Sequence, residues 1–248
     1  MNESAERIAQ HLGKNGRLTV LAGAGVSAES GIPTFRDMGG LWEQHSLEEV
    51  ATPEAYVRQP ELVLDFYNAR RQTLHTVEPN PAHGALARLE ELLGERFCLI
   101  TQNIDDLHER AGSHNVLHMH GELFKVRCND CHAVYEWQED LKRNDSCASC
   151  QGEMRPHIVW FGEMPFYMDC EIPTALSAEV FMSIGTSGTV YPAAGFVMEV
   201  KRQGNLCVEV NLEPSENASY FDVQLVGNAS EVLPTLVDSL ADLVGGKN

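Results

Sequence analysis

Nothing in this 248-residue sequence is long and apolar enough to cross a bilayer; the longest apolar runs are strand-sized. The first ten residues hold three charges and no apolar stretch. Neither a signal peptide nor an Arg-rich transit peptide is therefore expected, no membrane association is expected, and the expected location is the cytoplasm. Basic residues are scarce, 18 Lys and Arg against 36 Asp and Glu, for a formal net charge of −18. Phosphate contacts need cations, so nucleic acid is a poor partner. The surplus of carboxylates suits Lys-rich protein surfaces, or simply keeps the chain in solution. Internal repeats and low-complexity tracts are missing too. Seven cysteines, an odd number without a secretory leader, argue against a disulfide framework. What is present is an ordinary globular composition, 43% hydrophobic and 22% charged residues. The length allows one substantial core, or a large domain carrying a smaller insertion.

Apolar runs alternate with helical periodicity, the pattern of an α/β fold with a mainly parallel sheet. Strands are predicted at 18–22, 97–101, 116–119, 180–184, 206–210 and 223–226. Helices are predicted at 4–12, 60–74, 81–93, 105–111, 192–203 and 230–244. Gly112 and Gly204 follow two of these helices and fit the left-handed position that ends them. Two segments break the alternation. Residues 38–80 carry helical patterns without a good strand, and residues 122–157 carry two CxxC pairs and few core-type runs. Both are read as parts of a smaller domain inserted into the larger one.

The strand at 18–22 runs into Gly23-Ala24-Gly25-Val26-Ser27-Ala28. A strand, Gly-x-Gly and a helix form the dinucleotide-binding arrangement, in which glycines let the backbone approach a pyrophosphate and a helix terminus faces its charge. The third glycine of that fingerprint is Ala28, and no acidic residue ends a second strand about 20 residues on. An ordinary glycine-rich turn fits this segment as well. Asn211 and Glu213 after the strand at 206–210, and Gly185-Thr186-Ser187-Gly188 after the strand at 180–184, would converge on the same crevice.

Cys128 and Cys131, then Cys147 and Cys150 after a gap of 15 residues, have the spacing of a zinc site. Four thiolates leave no open position, so the zinc is expected to be structural and to hold together a segment too poor in apolar residues to fold alone. Redox or disulfide use of the pairs is the alternative, and His132 is read as a bystander. Cys98 and Cys207 lie in strand-like runs and read as small buried hydrophobes, whereas Cys170 sits between Asp169 and Glu171 with no activating base.

These motifs together resemble the sirtuin family. The segment from Gly23 to Arg36 resembles its first signature, Thr101-Gln102-Asn103-Ile104-Asp105-Asp106-Leu107-His108 its second, and His118-Met119-His120-Gly121 its third. The CxxC pairs, Val159-Trp160-Phe161-Gly162-Glu163, Gly185-Thr186-Ser187 and Val210-Asn211-Leu212-Glu213 follow in the family's order, so the resemblance covers about residues 17 to 234. It implies a Rossmann-like large domain at 1–37, 81–121 and 158–248, and a small domain with a helical module at 38–80 and a zinc module at 122–157. It also implies NAD as co-substrate. In the family reaction the acyl oxygen of a modified lysine attacks C1′ of the nicotinamide ribose, and a ribose hydroxyl deprotonated by histidine completes the transfer. Free lysine, nicotinamide and O-acyl-ADP-ribose result.

Periodicity alone leaves the base open between His118 and His120, because residues two apart in a strand share a face. The resemblance places the base directly before glycine, at His120. It assigns Asn103 and Asp105 to the nicotinamide ribose and carboxamide region, with Gln102 and Ile104 beside them. Arg36 orients NAD and Phe35 shields the reacting face. Gly23, Ala24, Gly25, Ala28, Gly185, Thr186, Ser187, Asn211, Leu212, Glu213 and Ala229 are assigned to the cofactor. Val159 and Phe161 would line the acyl-lysine tunnel, and Gly162 and Glu163 would pair as a strand with an extended substrate peptide.

Within Phe66-Tyr67-Asn68-Ala69-Arg70-Arg71, Tyr67 and Arg70 are three apart and share a helix face. A phenol and a guanidinium aimed at one point form a carboxylate site; a packed tyrosine with a solvated arginine is the plainer alternative. The resemblance favours the first, since Tyr-x-x-Arg here is similar to the sirtuins that remove succinyl, malonyl and glutaryl groups, bacterial examples of which also accept acetyl. The same motifs would also serve a mono-ADP-ribosyltransferase or a binding module without turnover; a zinc hydrolase is disfavoured by the all-cysteine shell. The partners expected are acyl-lysine proteins, and the expected state is a monomer.

Overall fold

The runs 18–22, 180–184 and 206–210 are apolar except for Thr19, Ser183 and Glu209, so neither face is polar enough for solvent and they read as strands buried on both sides. The computed structural model describes residues 1–33 and 46–245. In chain order it contains α1 (Asn2–Leu12), β1 (Leu18–Ala22), α2 (Leu47–Val50), α3 (Pro53–Arg58), α4 (Pro60–Leu74), α5 (Pro81–Leu93), β2 (Phe97–Thr101), α6 (Leu107–Arg110) and β3 (Val116–His118). There follow β4 (Gly121–Cys128), β5 (Val134–Glu136), β6 (Met154–Ile158), α7 (Glu171–Ala175), β7 (Val180–Ile184), α8 (Phe196–Arg202), β8 (Leu206–Asn211), β9 (Val223–Val226) and α9 (Ala229–Gly245). No helix among the described residues is long and apolar enough to cross a membrane.

The six predicted strands form one parallel sheet in the order β3-β2-β1-β7-β8-β9. Alternate residues serve opposite cores. Leu18, Val20, Ala22, Met182, Ile184, Val208 and Val210 pack with α1, α5 and α9, while Leu21, Ile100, Phe181 and Cys207 pack with α7 and α8. Strand order reverses between β1 and β7, and in such sheets ligands lie outside the carboxyl ends of the strands at that reversal.

The segment at 122–157, expected to hold few core-type runs, contains a three-stranded antiparallel sheet ordered β5-β4-β6. Its strands escaped detection because alternation in β4 is broken by a register shift between Gly121 and Val126 and by half-buried charged residues. Gly121 has φ +87 and pairs with Ile158, and a Cβ there would collide with the carbonyl of His157, so the chain crosses from one sheet to the other through a residue that must be glycine.

Helices α2, α3 and α4 do not form a core of their own. Val50, Ala55, Tyr56, Val63, Phe66 and Tyr67 share one cluster with Val126, Cys128, Leu141, Cys147, Met154, Ile158 and Trp160. Polar contacts pin the same junction. Asn68 exchanges hydrogen bonds with the backbone of Leu141 at 3.0 and 2.9 Å. Arg71, fully buried, donates to the carbonyls of Leu123 at 2.9 Å and Glu139 at 3.2 Å and to Asn68 Oδ1 at 2.7 Å.

Candidate functional site

The register of the parallel sheet sets the site. His118, Thr101, Ala22, Ile184 and Val210 stand in one row across five strands. Every polar or glycine-rich motif picked out after a strand therefore begins within a residue or two of one line: His120, Gln102 and Asn103, Gly23, Gly185 and Thr186, Asn211.

The glycines work differently from the expectation. A Cβ on Gly23 would lie 2.8 Å from the Gly185 carbonyl and one on Gly25 would lie 2.7 Å from Gly185 Cα. The Gly25 N–H already donates to that carbonyl at 2.9 Å. Gly23 and Gly25 thus let two strand-end loops touch, rather than baring both amides to a phosphate. No α-helix follows directly. Ala24–Val26 and Ala28–Ser30 are single 3-10 turns, and the first long helix among the described residues of this crossover is α4. Phe35 and Arg36 lie outside the described residues.

Beside these turns is a buried polar network whose proton directions follow from its partners. The Asn80 backbone N–H donates to His83 Nδ1 at 3.2 Å, so the His83 proton sits on Nε2 and points at Ser27 Oγ, 3.3 Å away. Asn103 Nδ2 also donates to Ser27 Oγ at 3.1 Å and to the Gly23 carbonyl at 3.2 Å. With both lone pairs engaged, Ser27 gives its own proton to Asp105 Oδ2 at 3.0 Å. Asp105 Oδ1 accepts from the Leu107 N–H at 3.2 Å, which starts α6 two residues later than predicted. Burial pushes the Asp105 carboxyl up to about 6 and the His83 imidazole down to about 4. His83 was missed from sequence; the Asn80–His83 pairing that caps α5 was its only local signal. Ser27 stands out in the sequence only as one residue of the glycine-rich motif.

The two histidines that periodicity could not separate have different surroundings. His118 Nε2 meets Glu109 Oε1 at 2.7 Å and its Nδ1 lies 3.4 Å from the Asn103 carbonyl, so the Glu109 carboxylate, outweighing burial, raises its proton affinity. His120 Nδ1 meets the Gln102 carbonyl at 3.0 Å. A carbonyl only accepts, so Nδ1 carries the proton and Nε2 presents a lone pair. Burial holds His120 below the ordinary histidine value, keeping it neutral.

On the other side of the reversal, Asn211 Nδ2 donates to the Thr186 carbonyl at 2.8 Å, and Ser187 Oγ lies 2.6 Å from Thr189 Oγ1. Leu212 and Glu213 are exposed beyond the strand end. The Ala229 methyl is in the core, and the Ile104 side chain is half-buried against the clusters that hold Trp160 and Leu123.

The segment 159–163 leads from the base to the helical module. The Val159 N–H donates to the His120 carbonyl and the Phe161 N–H to the Ala51 carbonyl, each at 2.9 Å. Gly162 and Glu163 do not form the expected strand. Gly162 has φ +91, and the Glu163 N–H turns back to the Trp160 carbonyl at 2.9 Å. The Glu163 carboxylate is taken by Arg155, by Arg127 and by the Trp160 N–H at 2.8 Å, so it holds the turn in place. Tyr67 and Arg70 are both on the buried side of α4. Tyr67 is 1% exposed and its hydroxyl accepts from Trp160 Nε1 at 3.0 Å; the Arg70 guanidinium lies over the Phe66 ring, 4.0 Å from its centroid. A solvated arginine is thereby excluded.

The four cysteine sulfurs lie within 4.8 Å of one another. Cys128 to Cys150 is 3.4 Å and Cys131 to Cys147 is 3.6 Å. Both are far beyond a disulfide bond and near the roughly 3.8 Å edge of a tetrahedron with metal–sulfur distances of about 2.3 Å. The donor set fits structural zinc, with Tyr135 Oη 3.3 Å from Cys147 Sγ.

A doubly covered parallel sheet with polar loops gathered at its strand-order reversal, joined to a four-thiolate module, defines a two-part α/β protein with a dinucleotide-type crevice. The chain belongs to the Sir2 family, whose model matches residues 23–192. It is 57% identical over 238 residues to an NAD-dependent protein deacylase of Salmonella typhimurium, covering 94% of this chain and 87% of the relative. A solved Sir2 homologue in complex with NAD is similar at 40% identity and TM-score 0.86, with 96% of this chain and 94% of that one covered. Sir2Af2 bound to a myristoylated histone peptide is similar at 34% identity and TM-score 0.75 over the full length of both chains.

Proposed function

We propose that this chain is an NAD-dependent protein-lysine deacylase that prefers acyl groups ending in a carboxylate, succinyl and malonyl among them, and also accepts acetyl. The deacylase relative and the NAD-bound homologue support the general reaction. The observation that carries it here is the state of His120, neutral, with Nδ1 tied to the Gln102 carbonyl and Nε2 available as a base. Bound NAD would supply the electrophilic ribose carbon to which the acyl oxygen adds, and nicotinamide as leaving group. Asn103 and Asp105 are held rigid through Ser27 to orient the ribose and carboxamide. His120 Nε2 removes the proton from the ribose hydroxyl. The Thr186, Ser187 and Asn211 loops face the rest of the dinucleotide. The deprotonated hydroxyl would attack the acyl carbon, the lysine amine would leave, and water would supply the oxygen that replaces it, giving free lysine and O-acyl-ADP-ribose.

The acyl preference rests on Tyr67 and Arg70, buried on one side of α4 next to Trp160, whose neighbour Val159 is bonded to His120. A guanidinium there supplies charge and paired donors to a carboxylate. Substrate proteins would bind as extended peptides alongside the exposed Phe161 and Met164. The test uses matched acetyl-lysine and succinyl-lysine peptides with and without NAD, followed by mass spectrometry. NAD-dependent loss of succinyl, selectively reduced in Arg70→Met and abolished in His120→Tyr, supports the proposal. Acetyl removal without succinyl removal would leave deacylation standing and sink the acyl preference.

A further inference from the structure

We infer that Trp160 is a specificity-determining positioning residue: its indole N–H fixes the Tyr67 hydroxyl so that the phenolic proton is presented to the acyl carboxylate. The inference rests on the acidic-acyl reading above and deepens it. An indole nitrogen can only donate, so at 3.0 Å the Tyr67 oxygen is the acceptor and its single proton must point away from Trp160. At 1% exposure the phenol has no bulk water to turn toward. A phenol otherwise both donates and accepts in several orientations; here one direction is removed, leaving it committed as a donor, which is what a carboxylate requires. Burial also holds the Tyr67 proton well beyond its ordinary affinity, so the donor persists at any working pH.

Trp160 is itself immobilised. The Arg155 guanidinium lies over its ring at 3.3 Å from the centroid, and the Tyr56 ring packs at 5.2 Å. Arg155 is bidentate to Glu163 at 2.7 and 3.0 Å and donates to the Ile158 carbonyl at 3.0 Å. Glu163 closes the loop by accepting the backbone N–H of Trp160. Because the flanking residues Val159 and Phe161 are bonded to His120 and Ala51, this clamp sets the phenol's orientation relative to the base.

The experiment reads kcat/KM for succinyl-lysine and acetyl-lysine peptides on the same preparation, so the ratio does not depend on the folded fraction. Trp160→Phe keeps a ring and deletes the donor. It is expected to lower the succinyl-to-acetyl ratio by about five-fold, the scale of one neutral hydrogen bond. In a Tyr67→Phe background it is expected to leave the ratio unmoved, because the hydroxyl it orients is gone. Arg155→Lys, which keeps the charge for Glu163 and loses the flat stacked fork, is expected to shift the ratio in the same direction by less. An unchanged ratio in Trp160→Phe, or an equal drop with and without the Tyr67 hydroxyl, overturns the inference while leaving the acyl preference intact. If wild type removes no succinyl, or Tyr67→Phe and Arg70→Met do not lower the ratio, the acyl preference itself fails and takes the inference with it.

Discussion

Replacing Asp105 with Asn is expected to stabilise the protein at neutral pH while it removes activity. The carboxyl is 4% exposed, and its hydrogen bonds from Ser27 and Leu107 do not compensate for burial, which lifts it from 3.8 to about 6. Between these values the folded state holds a proton that the unfolded chain has released. Stability therefore falls as pH rises through that window and is flat above it, a cost of roughly 3 kcal/mol at pH 7. Asparagine carries no charge to bury. With its oxygen kept on the Leu107 N–H, however, its amide faces a Ser27 oxygen already accepting from Asn103 and His83, which forfeits about 1 kcal/mol. The variant should thus be about 2 kcal/mol more stable near pH 7, equal near about pH 4.5, and about 1 kcal/mol less stable only below about pH 3. Urea unfolding of both proteins in matched buffers from pH 4.5 to 8 measures the difference, in which other titrating groups cancel. NAD binding by calorimetry should be lost. A pH-independent difference, or a variant less stable at neutral pH, would refute the assignment of a buried, charged Asp105.

Because burial lowers the His120 proton affinity and the base acts when neutral, single-turnover deacylation should rise with pH to a midpoint below 6.5 and stay level from pH 7 to 8; a midpoint above 7 would contradict the geometry. Arg71→Met should destabilise the fold by about 2–3 kcal/mol, since it strips buried partners from two carbonyls, yet leave the acyl ratio alone. Arg70→Met should do the reverse, and unfolding and peptide assays on the two variants separate the roles. Cys128→Ser, or metal withdrawal with a strong chelator, should loosen the small-domain cluster that holds both Cys128 and Trp160, read as altered tryptophan fluorescence and a lower Tm; an unchanged spectrum with the metal gone would mean that the thiolates do not organise that core.

Much of the large domain was legible because its signals are local. Runs such as Val180–Ile184 are apolar at every position but Ser183, so strand character and two-sided burial follow from composition, and the glycine that ends a helix leaves its mark one residue beyond it. The four-cysteine spacing was readable for the same reason, since each CxxC turn presents both thiolates whatever surrounds it. The sheet of the small domain was not legible. Its strands depend on a register shift and on a core borrowed from α2, α3 and α4, neither of which leaves a period in the chain.

At the site the division is sharper. Residue types and their order sufficed to place the chain in its family and to name His120, Asn103, Asp105 and Tyr67. Only the folded chain decided what the surrounding residues touch: that Gly23 and Gly25 serve contact between two loops, that Glu163 clamps Arg155 and Trp160, that His83, 56 residues from Ser27, directs the serine's proton to Asp105. The choice between His118 and His120 shows the reason. Two histidines two positions apart are equivalent to any periodic argument, yet one meets a carboxylate and the other a carbonyl, because β2, α6 and β3 bring Glu109 and Gln102 to them from elsewhere in the chain. Identity and spacing are written along the sequence; protonation and hydrogen-bond direction depend on neighbours that only tertiary packing supplies.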